Sequence, residues 1–166
     1  MSAPRRGMKA ILLGFERGVR RIDASKSYPT ALKESSGRQV LDWILSALEE
    51  SGIRDVVYVG GYHIEKVMER YPNLRFYYHA RWERATHHGA LNRVLSELDG
   101  PCLISDTDIL YRSALVKRFV GSKADVLLGV VEPGQGSIPP DKRVLVKLRG
   151  DRVLGVGSKG PDLPTY

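Results

Sequence analysis

Two carboxylates one residue apart stand at the end of a short apolar run. Cys102-Leu103-Ile104-Ser105 follows Gly100-Pro101 and leads into Asp106-Thr107-Asp108. A run of this length predicts a buried strand, and side chains two apart on a strand point to the same side. Neighbouring carboxylates repel each other unless a cation lies between them, and such oxygen ligands suit Mg²⁺ or Mn²⁺ carrying a phosphate. The same residues are equally typical of a turn that caps the next helix, because N-caps favour Asp.

A loop rich in glycine and arginine follows the first apolar run of the chain. Residues 8–13 predict a central strand, and Gly14, Gly18, Arg20 and Lys26 come after it. Glycine lets the backbone approach a phosphate, and arginine supplies forked donors. Residues 1–30 hold seven bases and two acids in a chain of net charge +7. This concentration points to a phosphate-bearing ligand as readily as to a polynucleotide, with a solvated basic face as the alternative. The loop fits neither the Rossmann dinucleotide fingerprint nor the Walker A pattern.

The elements that must position these residues alternate between strand and helix. Apolar periodicity predicts strands at 8–13, 55–59, 74–78, 102–108 and 126–131, and helices at 38–48, 64–71, 86–98 and 113–120. A hairpin around Arg149-Gly150-Asp151 is expected to add an antiparallel edge. The alternation predicts an α/β fold, a three-layer α/β/α Rossmann-like sandwich with a mainly parallel mixed sheet. We expect Leu12, Val57 and Leu103 on adjacent central strands, with the first strand between the other two.

Length and composition predict one domain over residues 1–166, with residues 1–7 flexible. The chain is 42% hydrophobic and 27% charged, and its apolar runs are far shorter than the roughly 20 residues of a membrane span. We therefore expect a cytoplasmic protein that does not enter a membrane. The lone Cys102 excludes a disulfide framework and a cysteine zinc site. Nucleic acid is the weakest candidate partner, because no basic helix or aromatic-interleaved strand is present. The oligomeric state stays open, with a homo-oligomer as one option.

Several segments, taken in order, resemble the sugar-nucleotidyltransferase family, whose members join a nucleoside triphosphate to a sugar phosphate or an alcohol phosphate. No single segment is specific, but their order and spacing together are. The segments are the opening strand at 8–13, the G-x-R of Gly18-Val19-Arg20, the P-K-x-L position at 29–32, the helix entry at 37–41, the G-I-x-D strand at 51–59 with Gly61-Tyr62 after it, Arg81-Trp82-Glu83, the 86–91 segment, and Asp106-Thr107-Asp108 at the family's D-G-D.

The resemblance implies a fold of the nucleotide-diphospho-sugar transferase type and transfer of a nucleoside monophosphate to a phosphorylated small molecule, with release of pyrophosphate. It implies that Asp108 holds Mg²⁺ and that Asp106 binds the ion directly or through water. Arg20 and Lys26 would hold the departing pyrophosphate, and His87 or His88 would contact the base or the acceptor. The implied nucleotide-binding residues are Leu13, Gly14, Gly18, Gly61, His88, Gly89 and Asp106.

Three departures separate the chain from the family pattern. Glu16 brings a carboxylate to the loop that approaches the triphosphate, Thr30 replaces the lysine of P-K-x-L, and the sequence stops at Tyr166, before the family's second metal-binding acid. These departures predict a slow catalyst, or a non-catalytic member that binds a nucleotide or a partner protein. A glycosyltransferase that uses a nucleotide-sugar through a D-x-D motif is the alternative enzyme. A haloacid-dehalogenase-type phosphatase is disfavoured, because its aspartates should follow the first strand.

Overall fold

The computed structural model of the protein describes residues 7–15, 28–131 and 144–157. The chain divides into two compact units between Lys123 and Ala124. The single domain expected over residues 1–166 stays a prediction, and so does the flexibility of residues 1–7. No helix among the described residues is long and apolar enough to cross a membrane.

The described part of the first unit contains four parallel strands, β1 (Lys9–Gly14), β4 (Asp55–Gly60), β5 (Arg75–Tyr78) and β6 (Cys102–Asp106), in the order β5-β4-β1-β6. Leu12, Val57 and Leu103 therefore lie on adjacent strands with the first strand in the middle, as predicted. The prediction that β6 is central and buried is wrong within the described residues. β6 lies at the edge of this sheet, and Ile104 on it is 47% exposed.

Among the described residues, four helices and three 3₁₀ turns connect the strands. They are α1 (Val40–Glu49), α2 (Ile64–Arg70), α3 (His87–Leu91) and α4 (Ser113–Gly121), with 3₁₀ turns at Thr30–Leu32, Trp82–Arg84 and Asn92–Glu97 and a small hairpin of β2 (Glu34–Ser35) and β3 (Arg38–Gln39) before α1. α1 ends as predicted, because Gly52 adopts φ +81° just beyond it. The single helix expected over 86–98 is instead broken at Val94, whose φ is −125°; both Val94 and Glu97 are buried there.

The core lies on both faces of the parallel sheet. Alternate residues of β1 point to opposite sides, so Ala10 and Leu12 join one cluster while Ile11 and Leu13 join the other. The first cluster contains buried residues of α1, α2 and α4, and the second contains Ala90 of α3 and Val94 beyond it. Helices therefore cover the two faces, and the predicted three-layer α/β/α arrangement is confirmed.

The amino ends of the strands are joined by a network of ion pairs around Glu97. Lys9 Nζ donates to Glu97 Oε2 at 2.7 Å, and Tyr77 donates its hydroxyl to Oε1 at 2.7 Å. Arg75 Nη1 donates to both Glu97 oxygens at 2.8 and 2.9 Å, and Arg75 Nη2 donates to Asp55 at 2.6 Å. The hydrogen bonds from Lys9, Tyr77 and Arg75 hold the Glu97 pKa at about 2, despite burial of the carboxylate.

The second unit contains an antiparallel hairpin, β7 (Leu145–Arg149) and β8 (Arg152–Gly157), turned at Gly150 with φ +56°. The hairpin itself is confirmed. Among the described residues it forms a two-stranded sheet of its own, so the prediction that it extends the parallel sheet is wrong. The strand predicted at 126–131 is also wrong, because these residues are exposed and have no strand partner. A strand needs a neighbour for its backbone hydrogen bonds, and an apolar run alone does not supply one.

Candidate functional site

The predicted site residues of the first unit gather where the parallel strands end. Gly14 closes β1 beside Gly60, which closes β4, and Leu13 lies opposite Asp106 at the end of β6. The backbone N–H of Thr107 donates to the Leu13 carbonyl at 3.3 Å and carries the pairing one residue further. Ligands of open α/β sheets bind at this end. Gly18, Arg20 and Lys26 lie outside the described residues, so their roles stay predictions.

Glycine is required at the ends of β1 and β4 because bulky side chains pack directly on the backbone there. A Cβ on Gly14 would overlap the hydroxyl of Tyr58, which donates to the Gly14 carbonyl at 3.2 Å. A Cβ on Gly61 would overlap Trp82 and the carbonyl of Phe15. Burial raises the pKa of Tyr58, which keeps its hydroxyl protonated as a donor. The chain is therefore closely packed beneath this end of the sheet.

The two predicted carboxylates differ in their surroundings. Asp106 is the last residue of β6, and its side chain is 33% exposed. Asp108 lies beyond the strand in a turn and is exposed, while Thr107 between them is buried. Burial raises the pKa of Asp106, His87 opposes that rise, and the negative charge of Asp108 adds to it. The two acids thus interact electrostatically, as their spacing predicts, although Asp108 is not part of the strand.

The nearest partner of Asp106 is His87 at the start of α3. His87 Nε2 lies 2.9 Å from Asp106 Oδ1 and 3.1 Å from Oδ2. Thr86 caps this short helix by accepting a hydrogen bond from the Gly89 N–H at 3.1 Å, as its sequence position predicts. Both His87 and His88 are exposed, and the resemblance named His88 among the nucleotide-binding residues. His87 contacts the carboxylate of Asp106. The prediction that His88 and Gly89 bind the nucleotide stays a prediction.

Phe15 packs against both His87 and His79. Neither Phe15 nor His79 was predicted as a site residue. The ring of Phe15 is 1% exposed and meets His87 edge-on, with 5.7 Å between ring centroids. It also lies against His79, at 6.1 Å. His79 Nε2 is buried and has no hydrogen-bond partner among the described residues. Neither residue carries a motif, and the two meet because β1 and β5, parallel strands on either side of β4, end at the same edge of the sheet.

The donor set suits a cation that also binds phosphate. Within the described residues, no group of three or more His, Cys, Asp or Glu side chains gathers to hold a metal ion. Mg²⁺ commonly takes one or two protein carboxylates and completes its octahedron with water and substrate phosphate. Asp108, with Asp106 beside it, supplies that number of carboxylates at a solvent-facing position. The residues present therefore fit Mg²⁺ bound together with a phosphorylated ligand.

A cavity of about 390 Å³ opens at the opposite, amino end of the sheet. Lys9, Asp55 and Asp99 line it, together with backbone of Gly7 and Gly100. Lys9 and Asp55 are already held in ion pairs by the Glu97 network. Among the described residues, the polar groups of the carboxyl end have fewer hydrogen-bond and ion-pair partners, so we place the candidate site there.

Comparison with known proteins gives relatives of one chemical class. CTP:phosphoglutamine cytidylyltransferase from Campylobacter jejuni is 26% identical over 133 residues, which cover 74% of this chain and 52% of that protein. The structure of CTP:phosphocholine cytidylyltransferase from Streptococcus pneumoniae matches with a TM-score of 0.54 and 23% identity, over 66% of this chain and 50% of the other. The inositol-1-phosphate CTP transferase from T. maritima matches with a TM-score of 0.72 and 20% identity, over 95% and 66%. No protein-family model matches the chain.

These matches confirm two predictions from the sequence. The fold is the α/β fold shared with these transferases, and the chain resembles nucleotidyltransferases in its sequence as well as its fold. The chain spans about half the length of the curated relative that it matches.

Proposed function

We propose that this protein is a nucleotidyltransferase that transfers a nucleoside monophosphate from a nucleoside triphosphate to a small phosphorylated acceptor. The observation that carries the proposal is the position of Asp106 and Asp108 at the carboxyl end of β6, beside the closely packed end of β1. CTP is the first candidate donor, because each relative described above is named for CTP. Phosphocholine, phosphoglutamine and inositol-1-phosphate are the first acceptors to try, for the same reason.

The proposed reaction is an in-line displacement at the α-phosphorus. An oxygen of the acceptor phosphate forms a bond to the α-phosphorus while the bond to the β-phosphate oxygen breaks and pyrophosphate leaves. Such a reaction depends mainly on positioning and on neutralising charge. Asp108, with Asp106 beside it, would hold Mg²⁺, and the ion would supply positive charge to the phosphate oxygens. Arg20 and Lys26 would hold the departing pyrophosphate.

The backbone at Gly14 is the surface that the triphosphate would approach. Tyr58 and Thr107 already hold the carbonyls of Gly14 and Leu13, so this end of β1 is fixed before a ligand arrives. His87 and Phe15 form a second side of the same space. Relative to the family pattern, Glu16 adds a negative charge and Thr30 removes the positive charge of a lysine. Removing one electrostatic contact in a site of this kind typically lowers the rate by about 10² to 10³, so we expect slow turnover.

Mg²⁺ dependence and a cytoplasmic location belong to this proposal. The carboxylates of Asp106 and Asp108 support Mg²⁺ dependence. Composition alone supports the cytoplasmic location. Homo-oligomerisation stays open.

The test is pyrophosphate release from each of the four nucleoside triphosphates, with Mg²⁺ and each of the three acceptors. We expect pyrophosphate release from CTP with one of the acceptors.

A second measurement concerns binding. We expect Arg20→Ala to weaken triphosphate binding by about 1–3 kcal/mol, because a charge-assisted hydrogen bond is lost. Arg54→Ala is the matched control, because Arg54 is exposed and lies just before β4, at the opposite end of the sheet. Tight nucleotide binding without release in any combination would favour the non-catalytic alternative.

A further inference from the structure

Phe15 is a buried aromatic residue that packs against polar side chains. It continues the row of Ile11 and Leu13 one step beyond β1, and its ring is 1% exposed. The ring contacts two imidazoles, with its centroid 6.1 Å from that of His79 and 5.7 Å from that of His87. A phenyl ring carries no group that could donate or accept a hydrogen bond from them. An apolar ring therefore lies among polar side chains at the end of the sheet where ligands of such folds bind.

This packing leaves a polar atom of His79 unsatisfied. Its Nε2 is buried and has no hydrogen-bond partner among the described residues. The atom lies beside the first turn of α3, because a Cβ built on Gly89 would lie 3.5 Å from it. The Gly89 N–H is already donated to the Thr86 hydroxyl, so it is committed elsewhere. A buried nitrogen without a partner costs free energy, and a ligand that supplied the missing hydrogen bond would recover that cost.

We infer that Phe15 is a plug, a side chain that fills the position of a flat heteroaromatic group of the ligand and is displaced when the ligand binds. The group that fits is a nucleobase. It can contact the imidazoles through its edge or face as the phenyl ring does, and it also carries hydrogen-bonding atoms on its edge. Exchange of the phenyl ring for a base pairs His79 Nε2 and exposes the Phe15 ring. The inference rests on the proposed function for its nucleotide ligand, but it concerns base binding and is measured without transfer.

A plug lowers the apparent affinity for its ligand, because only the fraction of molecules in which the ring is displaced can bind. The sign of a mutational effect therefore separates a plug from an ordinary core residue. Shortening a plug strengthens binding. Shortening a core residue beside a site leaves a cavity and loosens the packing, which weakens binding or leaves it unchanged.

The first experiment titrates the four nucleosides, without phosphate or metal, into variants of the full chain. Phe15→Ala should bind one nucleoside about tenfold more tightly than the wild type, or better. His79→Leu in the Phe15→Ala background should remove most of this gain, because the hydrogen bond to the base is lost. Phe119→Ala is the matched control, since Phe119 is a partly buried ring of α4 packed against the other core cluster. If Phe15→Ala unfolds, as judged by circular dichroism, Phe15→Leu replaces it, with a smaller gain of the same sign.

Fluorine NMR observes the displacement directly. The chain contains three phenylalanines, so labelling with 4-fluorophenylalanine gives three signals, and Phe15→Leu identifies the one that belongs to Phe15. In the free protein this signal should shift little between H₂O and D₂O, because the ring is buried. Each of the four nucleoside triphosphates is then added with Mg²⁺. The one that binds should raise the solvent isotope shift of the Phe15 signal and leave that of the Phe119 signal unchanged.

Three results would overturn the inference. They are a nucleoside affinity of the Phe15 variant that is no higher than that of the wild type, a gain that persists in full after His79→Leu, and a Phe15 signal that stays buried while a triphosphate is bound. Failure of the proposed function is distinguishable, because it appears as absent pyrophosphate release while the affinity gain and the isotope shift are retained.

Discussion

The two ends of the parallel sheet use polar residues in opposite ways. At the amino end, Glu97 receives hydrogen bonds from Lys9, Arg75 and Tyr77, and its side chain is 9% exposed. At the carboxyl end, Asp106 has one side-chain partner and Asp108 has none among the described residues. One end satisfies its charges within the protein. The other has charged groups that few side chains of the described residues contact.

The difference distinguishes a stabilising network from the site proposed to bind the nucleotide. A buried carboxylate with three donors gains its full interaction energy from folding, whereas an exposed carboxylate contributes little to stability. Groups kept for a ligand must remain incompletely paired until the ligand binds. Nε2 of His79, which has no hydrogen-bond partner among the described residues, follows this pattern. Substitutions at the amino end should therefore change stability, and those at the carboxyl end should change binding.

The largest expected effect on stability is that of Glu97→Gln. The substitution removes the charge that Lys9 and Arg75 share, and Lys9 is only 13% exposed. We expect a loss of about 3 kcal/mol in the free energy of unfolding, measured by urea denaturation. Asp99→Asn is the control, because Asp99 also contacts Lys9, at 3.3 Å, but is 43% exposed. A change of about 0.5 kcal/mol or less is expected there. Equal effects of the two substitutions would contradict the distinction.

The same network predicts a loss of stability in acid. The Glu97 pKa is about 2 in the folded protein, below its ordinary value of about 4.3, so its contribution is complete above about pH 5 and is lost as the pH falls toward 2. We expect this group to account for about 2 kcal/mol over that range. Urea denaturation at pH 6, 4 and 3 measures it. Glu97→Gln should flatten the dependence, and an unchanged slope in that variant would assign it to other groups.

A smaller effect is expected from Gly61→Ala at the carboxyl end. The added Cβ would meet Trp82 and the Phe15 carbonyl, so the backbone after β4 must shift. Overpacking of this kind costs about 1–3 kcal/mol. Gly100→Ala is the matched control, because its Cβ would meet no atom within 4 Å. Thermal unfolding of both variants gives the comparison, and a neutral Gly61→Ala would show that the end of β4 is less tightly packed than the structure indicates.

The features that depend on local pattern were predictable from the sequence. Helix α1 was predicted from Val40, Leu41 and Ile44 at helical spacing, and the parallel direction of the strands followed from the alternation of strands and helices. The apolar run at 126–131 misled the prediction, because it has the composition of a strand but no neighbour in the sheet of the second unit. Periodicity reports burial preference and does not report pairing.

The features that depend on distant contacts were not predictable. Glu97 lies 88 residues from Lys9 and carries no motif, so its network is visible only in the fold. The sequence did not show that His87, rather than His88, contacts Asp106. That contact depends on the direction of the first turn of α3, which sequence spacing does not fix. The positions of Leu13, Gly14 and Asp106 were predicted, because the carboxyl ends of adjacent parallel strands must meet.

The measurement that tests the account most directly is calorimetric titration of the four nucleoside triphosphates with Mg²⁺ into wild type, Asp108→Asn and Asp99→Asn. These variants remove one exposed acid from each end of the sheet. We predict that one triphosphate binds the wild type, that Asp99→Asn binds it equally well, and that Asp108→Asn loses the Mg²⁺-dependent part of the affinity, by about tenfold or more. Binding by Asp108→Asn at the wild-type affinity, or no binding of any triphosphate by the wild type, would contradict the assignment of the carboxyl end as the nucleotide site.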